Sequence, residues 1–253
     1  MERLQKFVEW LFKYRANLPS WLSKSLILTV VVLSASYPRT TEAVASLAPS
    51  PTDTPLPPSS PSPTLSQLSS TESLIDDLED GDAKNQLGGY WYTYSDKDNG
   101  GDSQVSPSDD FKPSSGGANN SSWAARMTGT VTTTYQYGFI GMGTNLGEGN
   151  NTAVDVSKYQ GIEFCAKGDG KEYRVKLRSL AINDYNDYGY KFVAPSQWQC
   201  YQVRFGEMEP SWQTNTPVAL NTALAQVSSI QWQTVGQPHT SVELAVDDLK
   251  FLQ

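Results

Sequence analysis

The sequence has little of what many enzymes depend on. Its 253 residues include one histidine, His239, and two cysteines. A single histidine excludes most histidine-dependent catalytic triads and multi-histidine metal sites. No G-x-S-x-G, Walker A or H-E-x-x-H motif occurs. A glycosidase needs only two carboxylates at a set separation, so a small glycoside hydrolase stays open.

Basic residues are also scarce. Lys and Arg number 19 against 27 Asp and Glu, which gives a net charge of -8. Binding to phosphate backbones needs a surface rich in Lys and Arg, so nucleic acid is not an expected partner. No repeat of fixed period occurs, which excludes a solenoid. An uncharged ligand or a cation suits this acidic composition better.

No apolar run is long enough to span a bilayer comfortably. The apolar run SLILTVVVLSA follows several basic residues and has the length of the apolar part of a signal peptide. Ala43 and Ala45 lie beyond it with the small-residue spacing that signal peptidase accepts. The sequence predicts a signal peptide over residues 1–45, cleaved after Ala45. An uncleaved membrane anchor is the alternative, and either one implies an exported protein, whether secreted, periplasmic or at the cell surface.

A segment rich in Pro, Ser and Thr follows at residues 46–72. It contains seven prolines and almost no residue that could form a core. Such a chain is expected to stay extended and disordered and to act as a spacer. The composition changes after it, so we expect a folded binding domain over residues 73–253, which the segment would hold away from a membrane or cell surface.

Short runs of alternating apolar and polar residues, divided by turn residues, fill this domain. The pattern is typical of half-buried strands and predicts an all-β fold, a jelly-roll β-sandwich of about eight to ten strands. The residues predicted to face inward are Ile162, Phe164, Ala166, Tyr173, Val175, Leu177, Tyr201, Val203, Phe205, Ile230 and Trp232.

The last run, SVELAVDDLKFLQ, changes phase. Val242, Leu244 and Val246 keep one alternation, whereas Leu249 and Phe251 follow the other. One residue too many therefore lies at the acidic pair between them, which predicts a β-bulge. A second acidic stretch, LIDDLEDGD, opens the domain at residues 74–82 with five carboxylates.

Several of these motifs resemble a known fold family. They are LIDDLEDG at the start, a W-x-x-Y-x-V-x-F strand beginning at Trp198, and VSSIQWQ and VELAVDDLKF at the end. Together they are similar to galactose-binding-like jelly rolls. Within these the chain most resembles family 11 carbohydrate-binding modules and the complex I intermediate-associated protein family, over roughly residues 74–252.

The resemblance implies a structural calcium ion at the two acidic ends. Carried over, Glu79 matches the acidic residue of the first-strand motif and Asp247 that of the last strand. Calcium binds about six to eight oxygen ligands, which carboxylates and carbonyls supply. The alternative is that the acidic residues form a solvated strand edge, which charge protects from aggregation.

A cluster of Tyr, Asp and Asn in INDYNDYGYKF predicts the ligand site. Sugars offer flat C–H faces and a rim of hydroxyls, which aromatic rings and carboxylate or amide oxygens recognise. The alternative is that the tyrosines are ordinary strand residues and the Asp and Asn residues form turns. The predicted ligand-binding residues are Tyr90, Tyr92, Asp184, Tyr185, Asp187, Tyr188 and Tyr190.

The likeness to family 11 modules implies a cleft that binds a β-glucan chain. The chain departs from that family near Trp232, where Gln231 and Gln233 replace an aromatic or acidic contact. A neutral glycan is therefore the expected partner, of β-glucan or another type.

Cys165 and Cys200 both lie on the outward side of predicted strands. If those strands were neighbours a disulfide could form, and export would permit it. Sequence does not establish the pairing, and two unpaired cysteines are favoured.

The sequence thus predicts an exported, non-catalytic carbohydrate-binding module. A protein-binding assembly or scaffold factor of the complex I intermediate-associated type is the alternative from another class, and a small glycoside hydrolase is the third. The signal segment and the spacer distinguish the first from the second, because a respiratory assembly factor would need neither.

Overall fold

A computed structural model describes residues 73–149, 151–236 and 238–253. The predicted signal peptide or anchor at residues 1–45 and the predicted spacer at residues 46–72 lie outside these described residues. Within them the regular secondary structure is almost entirely β-strand. No helix of this described part has both the length and the apolar character needed to cross a membrane.

The strands follow the predicted alternation and are short until the last one. Two 3-10 turns, Asp96–Asn99 and Phe205–Glu207, and one short helix, α1 (Leu220–Leu224), interrupt them. The strands are β1 (Leu74–Asp76), β2 (Trp91–Ser95), β3 (Gln104–Ser106), β4 (Ser114–Ser115), β5 (Trp123–Val131), β6 (Ile140–Asn145), β7 (Gly161–Gly168), β8 (Glu172–Ser179), β9 (Tyr188–Val193), β10 (Gln199–Arg204), β11 (Glu209–Pro210), β12 (Val227–Thr234) and β13 (His239–Leu252).

These strands make two antiparallel sheets. The front sheet has the order β11-β9-β8-β12-β6-β2. The back sheet has the order β10-β7-β13-β5-β3, with β1 paired to β13 and β4 paired to β5. The structure therefore confirms an all-β sandwich of two antiparallel sheets.

The core lies between the two sheets. Phe164 from the back sheet and Trp232 from the front sheet are fully buried, and their ring centres lie 5.5 Å apart. Trp91 of β2 stacks on Trp232 at 5.5 Å. Most of the residues predicted to face inward are buried, which confirms the phase assigned to β7, β8 and β12. Tyr201 is the exception, because it is only partly buried against the core.

The ends of the domain meet in the back sheet. Leu74 of β1 lies opposite Lys250 of β13, and the Phe251 amide donates a hydrogen bond to the Ser73 carbonyl at 2.7 Å. The register of β13 against β7 shifts between Asp247 and Lys250, and Asp248 has a φ of 51°. The predicted bulge is therefore confirmed.

Cys165 and Cys200 form a disulfide. The two residues lie directly opposite each other on the neighbouring strands β7 and β10. The prediction of two unpaired cysteines is wrong, because strand order, which the sequence does not reveal, places these outward positions side by side.

Candidate functional site

One side of the front sheet carries aromatic, amide and basic side chains. Residues opposite each other on paired strands point to the same side of a sheet, so the register defines this surface. We call it the front face. It comprises Tyr92 and Tyr94 of β2, Gly141 and Gly143 of β6, Ser229, Gln231 and Gln233 of β12, Arg174, Lys176 and Arg178 of β8, and Gly189 and Lys191 of β9.

The tyrosines of β2 lie over the glycines of β6. A Cβ atom added to Gly141 would lie 2.4 Å from Cζ of Tyr94, and one added to Gly143 would lie 3.2 Å from the Tyr92 hydroxyl. A larger residue at either position would crowd the tyrosine above it, severely at Gly141 and slightly at Gly143. Both tyrosine side chains stay partly exposed to solvent.

The far ends of both tyrosines are fixed by β12. The Tyr92 hydroxyl donates to Ser229 Oγ at 3.0 Å and accepts from Gln231 Nε2 at 2.7 Å. The Tyr94 hydroxyl donates to Gln233 Oε1 at 3.3 Å. Burial raises the pKa of both hydroxyls above the usual tyrosine value, so both stay protonated near neutral pH.

Lys176 lies beside this pair. Its Nζ donates to Gln233 Oε1 at 2.9 Å and lies 5.7 Å from the centre of the Tyr94 ring. The pKa of Lys176 is lowered to about 8, chiefly by burial; Asp187 opposes the fall, and the charges of Arg174 and Arg178 add to it. Lys176 is therefore an unusually desolvated lysine at the middle of the front face.

Arg178 joins the front face to the loop between β8 and β9. Its guanidinium lies 4.8 Å from the Tyr185 ring centre and pairs with Asp187 Oδ1 at 3.1 Å. Asp187 is fully buried, and the Ser179 amide also donates to its Oδ1. Its Oδ2 has no partner in the described part of the chain. Burial raises the pKa of Asp187, and the charge of Arg178 opposes the rise.

A cavity of about 280 Å³ lies behind this loop. Two contacts hold its walls together. The Asn186 amide group exchanges a pair of hydrogen bonds with the backbone of Trp212, and the Tyr188 hydroxyl donates to the Val218 carbonyl at 2.8 Å. Asp184 and Tyr188 both line this cavity.

Four of the predicted ligand residues belong to the front side. Tyr92 lies on the front face itself, and Tyr185 and Asp187 adjoin it through Arg178. Tyr90 directly precedes β2 and is 53% exposed. Because it lies two residues before Tyr92, the strand phase places it on the same side.

The other three lie elsewhere. Tyr188 and Tyr190 of β9 are opposite Leu177 and Val175, whose side chains are in the core. These tyrosines therefore point to the inner side of the front sheet, and Tyr190 stays 37% exposed. Asp184 lines the cavity. The predicted cluster is thus divided between two surfaces, because neighbouring positions in a loop and strand do not share a face.

The prediction also missed residues that the front face contains. Tyr94 has the same spacing from Tyr92 as Tyr92 has from Tyr90, and the period of two could have identified it. Arg174, Lys176 and Arg178 occupy the outward phase of β8, which the alternation of YRVKLRS revealed. Their place beside the tyrosines depends on strand order, which local sequence does not encode.

Glu79 and Asp247 hold one loop of the back sheet. Glu79 Oε1 accepts hydrogen bonds from the Ser121 hydroxyl and from the amides of Ser122 and Trp123. The two oxygens of Asp247 accept from the Ala118 and Asp248 amides.

These partners are mostly N–H donors, which a cation cannot use as ligands. Among the described residues no group of three or more His, Cys, Asp or Glu side chains could hold a metal ion. Calcium binding by Glu79 and Asp247 stays a prediction.

Comparison with known proteins identifies a family and a fold. The sequence model of Complex I intermediate-associated protein 30 (CIA30) matches residues 80–246. Endoglucanase 3 of Fibrobacter succinogenes is 31% identical over 142 residues, which are 53% of this chain. The chain spans 20% of that relative's length.

Two similar solved structures are family 11 carbohydrate-binding modules of Clostridium thermocellum. One is in complex with a β-1,3-1,4-mixed-linked tetrasaccharide, with 20% identity, a TM-score of 0.50, and coverage of 71% of this chain and 94% of that one. The other belongs to a cellulosomal cellulase, with 22% identity, a TM-score of 0.49, and coverage of 71% and 92%. At 20% identity the likeness to the tetrasaccharide complex shows the fold alone.

Proposed function

The chain belongs to the Complex I intermediate-associated protein 30 family, and from its sandwich fold, which resembles a family 11 carbohydrate-binding module, we propose that it binds a glycan on its front face. The glycan is of β-glucan type. The binding is proposed to be non-catalytic.

The row formed by Tyr90, Tyr92 and Tyr94 is the observation that carries this proposal. Tyr90, Tyr92 and Tyr94 follow one side of a strand over about 13 Å, which suits a short oligosaccharide. The glycines beneath Tyr92 and Tyr94 let these side chains lie close to the sheet. Aromatic faces of this kind stack against the C–H faces of sugar rings.

Amide and hydroxyl groups beside the tyrosines support the same function. Gln231, Gln233 and Ser229 contact the tyrosine hydroxyls and follow the row along β12. Such groups both donate and accept hydrogen bonds, as sugar hydroxyls require. The glutamines therefore supply polar contacts where an aromatic or acidic residue was expected from the family likeness.

Hydrolysis is less well supported. A glycosidase needs two carboxylates that face the scissile bond. Asp187, the carboxylate that pairs with Arg178 of the front face, is fully buried, and the Ser179 amide also donates a hydrogen bond to it. Its role is better described as holding Arg178 in position.

Isothermal titration of the full-length protein with a β-1,3-1,4-mixed-linked tetrasaccharide, with cellotetraose as a second ligand, tests the proposal. Saturable binding is the expected result. The absence of binding to both sugars would contradict it.

Family membership favours a second candidate function, a protein-binding assembly or scaffold factor. Such a factor has no need of a sugar, so the same titration separates the two functions. An assembly or scaffold function also gives no reason for glycine to lie beneath each of two tyrosines on this face.

We also propose that the domain is exported and tethered by residues 46–72. The disulfide between Cys165 and Cys200 supports this location, because disulfides persist in oxidising compartments. N-terminal sequencing of the mature protein tests it. A mature chain that begins near Ser46 is expected, and a soluble mature protein that retains residues 1–24 would contradict cleavage.

A further inference from the structure

The front face is basic although the chain is acidic. Arg174, Lys176 and Arg178 alternate along the outward side of β8, and Lys191 lies opposite Arg174 on β9. The whole chain has a net charge of -8. The composition therefore predicts a neutral ligand, whereas the arrangement of the strands gathers cations where the proposed glycan would lie.

Two of these cations have carboxylate partners. Arg178 pairs with Asp187 at 3.1 Å, and Lys191 pairs with Glu172 at 3.0 Å. In the described part of the chain, Arg174 and Lys176 have none. Nη2 of Arg174 donates hydrogen bonds to the carbonyls of Asp187 and Glu209. Its buried Nε has no hydrogen-bond partner in the described part of the chain.

Lys176 is the better placed of the two for a ligand. Its charge is partly desolvated, and it contacts the neutral oxygen of Gln233 and the ring of Tyr94. The negative charge that acts on it is that of Asp187, which already pairs with Arg178. A desolvated charge is costly unless an opposite charge accompanies it. The fall in its pKa to about 8 reflects the same cost. An anion next to Nζ would offset it through a charge-assisted hydrogen bond.

We propose that the glycan bound on the front face carries an acidic unit, a uronic acid. Its carboxylate contacts Lys176 and is attracted by the positive charge of Arg174 on the same strand. This inference rests on the proposed function, since it assumes that a sugar ring stacks on Tyr94. Lys176 Nζ lies 5.7 Å from the centre of that ring. The carboxylate of a uronic acid projects from the edge of the sugar ring, so stacking on Tyr94 brings it within reach of Nζ.

The remaining sugar units can be neutral. The tyrosine row continues to Tyr92 and Tyr90, where the neighbouring groups are Ser229, Gln231 and the exposed Lys84, whose Nζ lies 5.9 Å from the Tyr90 ring. A glycan with a β-glucan backbone and a carboxylate on the unit that stacks on Tyr94 therefore matches both the tyrosine row and the cations of the front face.

The test compares two ligands that share one backbone. Full-length protein is titrated with cellotetraose and with the C6-oxidised tetrasaccharide, in which the glucose units are glucuronate. We expect the acidic ligand to bind about tenfold more tightly near neutral pH, as a hydrogen bond between charged groups implies. Salt at about 0.5 M should reduce this preference by screening, and should change cellotetraose binding little.

Variants assign the preference to the lysine. In Lys176→Gln the ratio of the two affinities should fall towards one. Lys167→Gln makes the same charge change on an exposed position of β7 in the back sheet and should keep the wild-type ratio. A preserved ratio in Lys176→Gln overturns the proposal.

The wild-type titrations keep the two hypotheses distinguishable. Equal or tighter binding of cellotetraose overturns the acidic unit and leaves the proposed function intact. Binding of neither ligand overturns both. Preference for the glucuronate ligand that disappears at high salt supports both, and it does so even if a variant fails to fold.

Discussion

Tyr94 lies directly against Gly141, so closely that a Cβ atom on the glycine would come within 2.4 Å of the tyrosine Cζ. The two residues are cross-strand partners in β2 and β6. The glycine therefore leaves room for the ring, so the position of Tyr94 in the proposed sugar site depends on a residue that no ligand would need to touch.

Gly141→Ala is expected to weaken binding of the mixed-linked tetrasaccharide about tenfold or more, because the added methyl group forces Tyr94 out of its place. Without this close contact, the substitution would be expected to leave the affinity unchanged, because alanine is tolerated in strands better than glycine. Titration calorimetry measures the change. Gly206→Ala, where nothing lies within 4 Å of the added Cβ, is the matched control and should bind as wild type. Wild-type affinity in Gly141→Ala would show that this position of the Tyr94 ring is not required.

Tyr94→Ala and Tyr190→Ala should have opposite outcomes. Loss of a stacking ring costs ~2 kcal/mol, or about thirtyfold in affinity. Tyr190 lies opposite Val175 on the inner side of the same sheet, so its removal should leave the affinity unchanged. Melting curves of both variants separate binding from stability. A larger loss of affinity in Tyr190→Ala would return the site to the β9 tyrosines.

Replacement of both cysteines by serine should destabilise the domain. The disulfide joins residues 35 positions apart in the sequence. Closing such a loop lowers the entropy of the unfolded chain, which stabilises the folded state by about 4 kcal/mol. The melting temperature should fall by roughly ten degrees. Glycan affinity should not change, because both cysteines lie in the back sheet. Thiol labelling of the wild type in denaturant without reductant should find no free thiol, and two labelled thiols would contradict the disulfide.

Asp76 should make the domain more stable in mildly acidic solution. It is buried, with Oδ2 accepting from Trp91 Nε1 at 2.7 Å and Oδ1 from the Leu78 amide at 2.9 Å. Burial raises its pKa from 3.8 to about 6. The folded state therefore binds this proton more tightly than the unfolded state does, and stability falls as the pH rises from near 4 through about 6.

The size of this effect is on the order of 3 kcal/mol for Asp76 alone. Melting temperatures measured between pH about 7 and about 5 should rise as the pH falls, and Asp76→Asn should flatten that rise. Asp155→Asn is the control, because Asp155 is exposed and hydrogen bonds from Ser157 lower its pKa. An equal slope in wild type and Asp76→Asn would show that Asp76 does not titrate in this range.

Calcium is expected to raise the melting temperature if Glu79 and Asp247 bind it. At a concentration of ~100 times the dissociation constant, an ion that binds only the folded state contributes about 2.7 kcal/mol. The ion would have to replace the amide donors that now contact both carboxylates. Asp247→Ala should abolish the gain, whereas Asp102→Ala, in the loop before β3, should keep it. Identical melting curves in calcium and in chelator would contradict calcium binding by Glu79 and Asp247.

Much of the fold could be predicted because a strand repeats every two residues. That period identified the inward side of β7, β8 and β12, and it located the bulge at Asp248, where the phase of β13 changes. Each of these features depends on residues within one strand. The buried side of a strand must be apolar, and the local sequence records that requirement directly.

The site was less predictable because it draws on five strands that are distant in the sequence. Tyr94, Gln233 and Lys176 contact one another only because β2, β6, β12 and β8 are neighbours in that order. The cluster of tyrosines in INDYNDYGYKF was more conspicuous, but β9 turns Tyr188 and Tyr190 inward. The disulfide was missed for the same reason, since it depends on β7 and β10 being adjacent.

The pairing of β1 with β13 also bears on how the domain could be rebuilt. Ser73 and Phe251 share a hydrogen bond, so the first and last residues of the sandwich are neighbours in the back sheet, remote from the front face. A short peptide could join Gln253 to Ser73, and new termini could be opened in the exposed turn around Tyr137. Such a circular permutant should keep the tyrosine row intact, and it would let a reporter or a second module be attached at a different point on the surface.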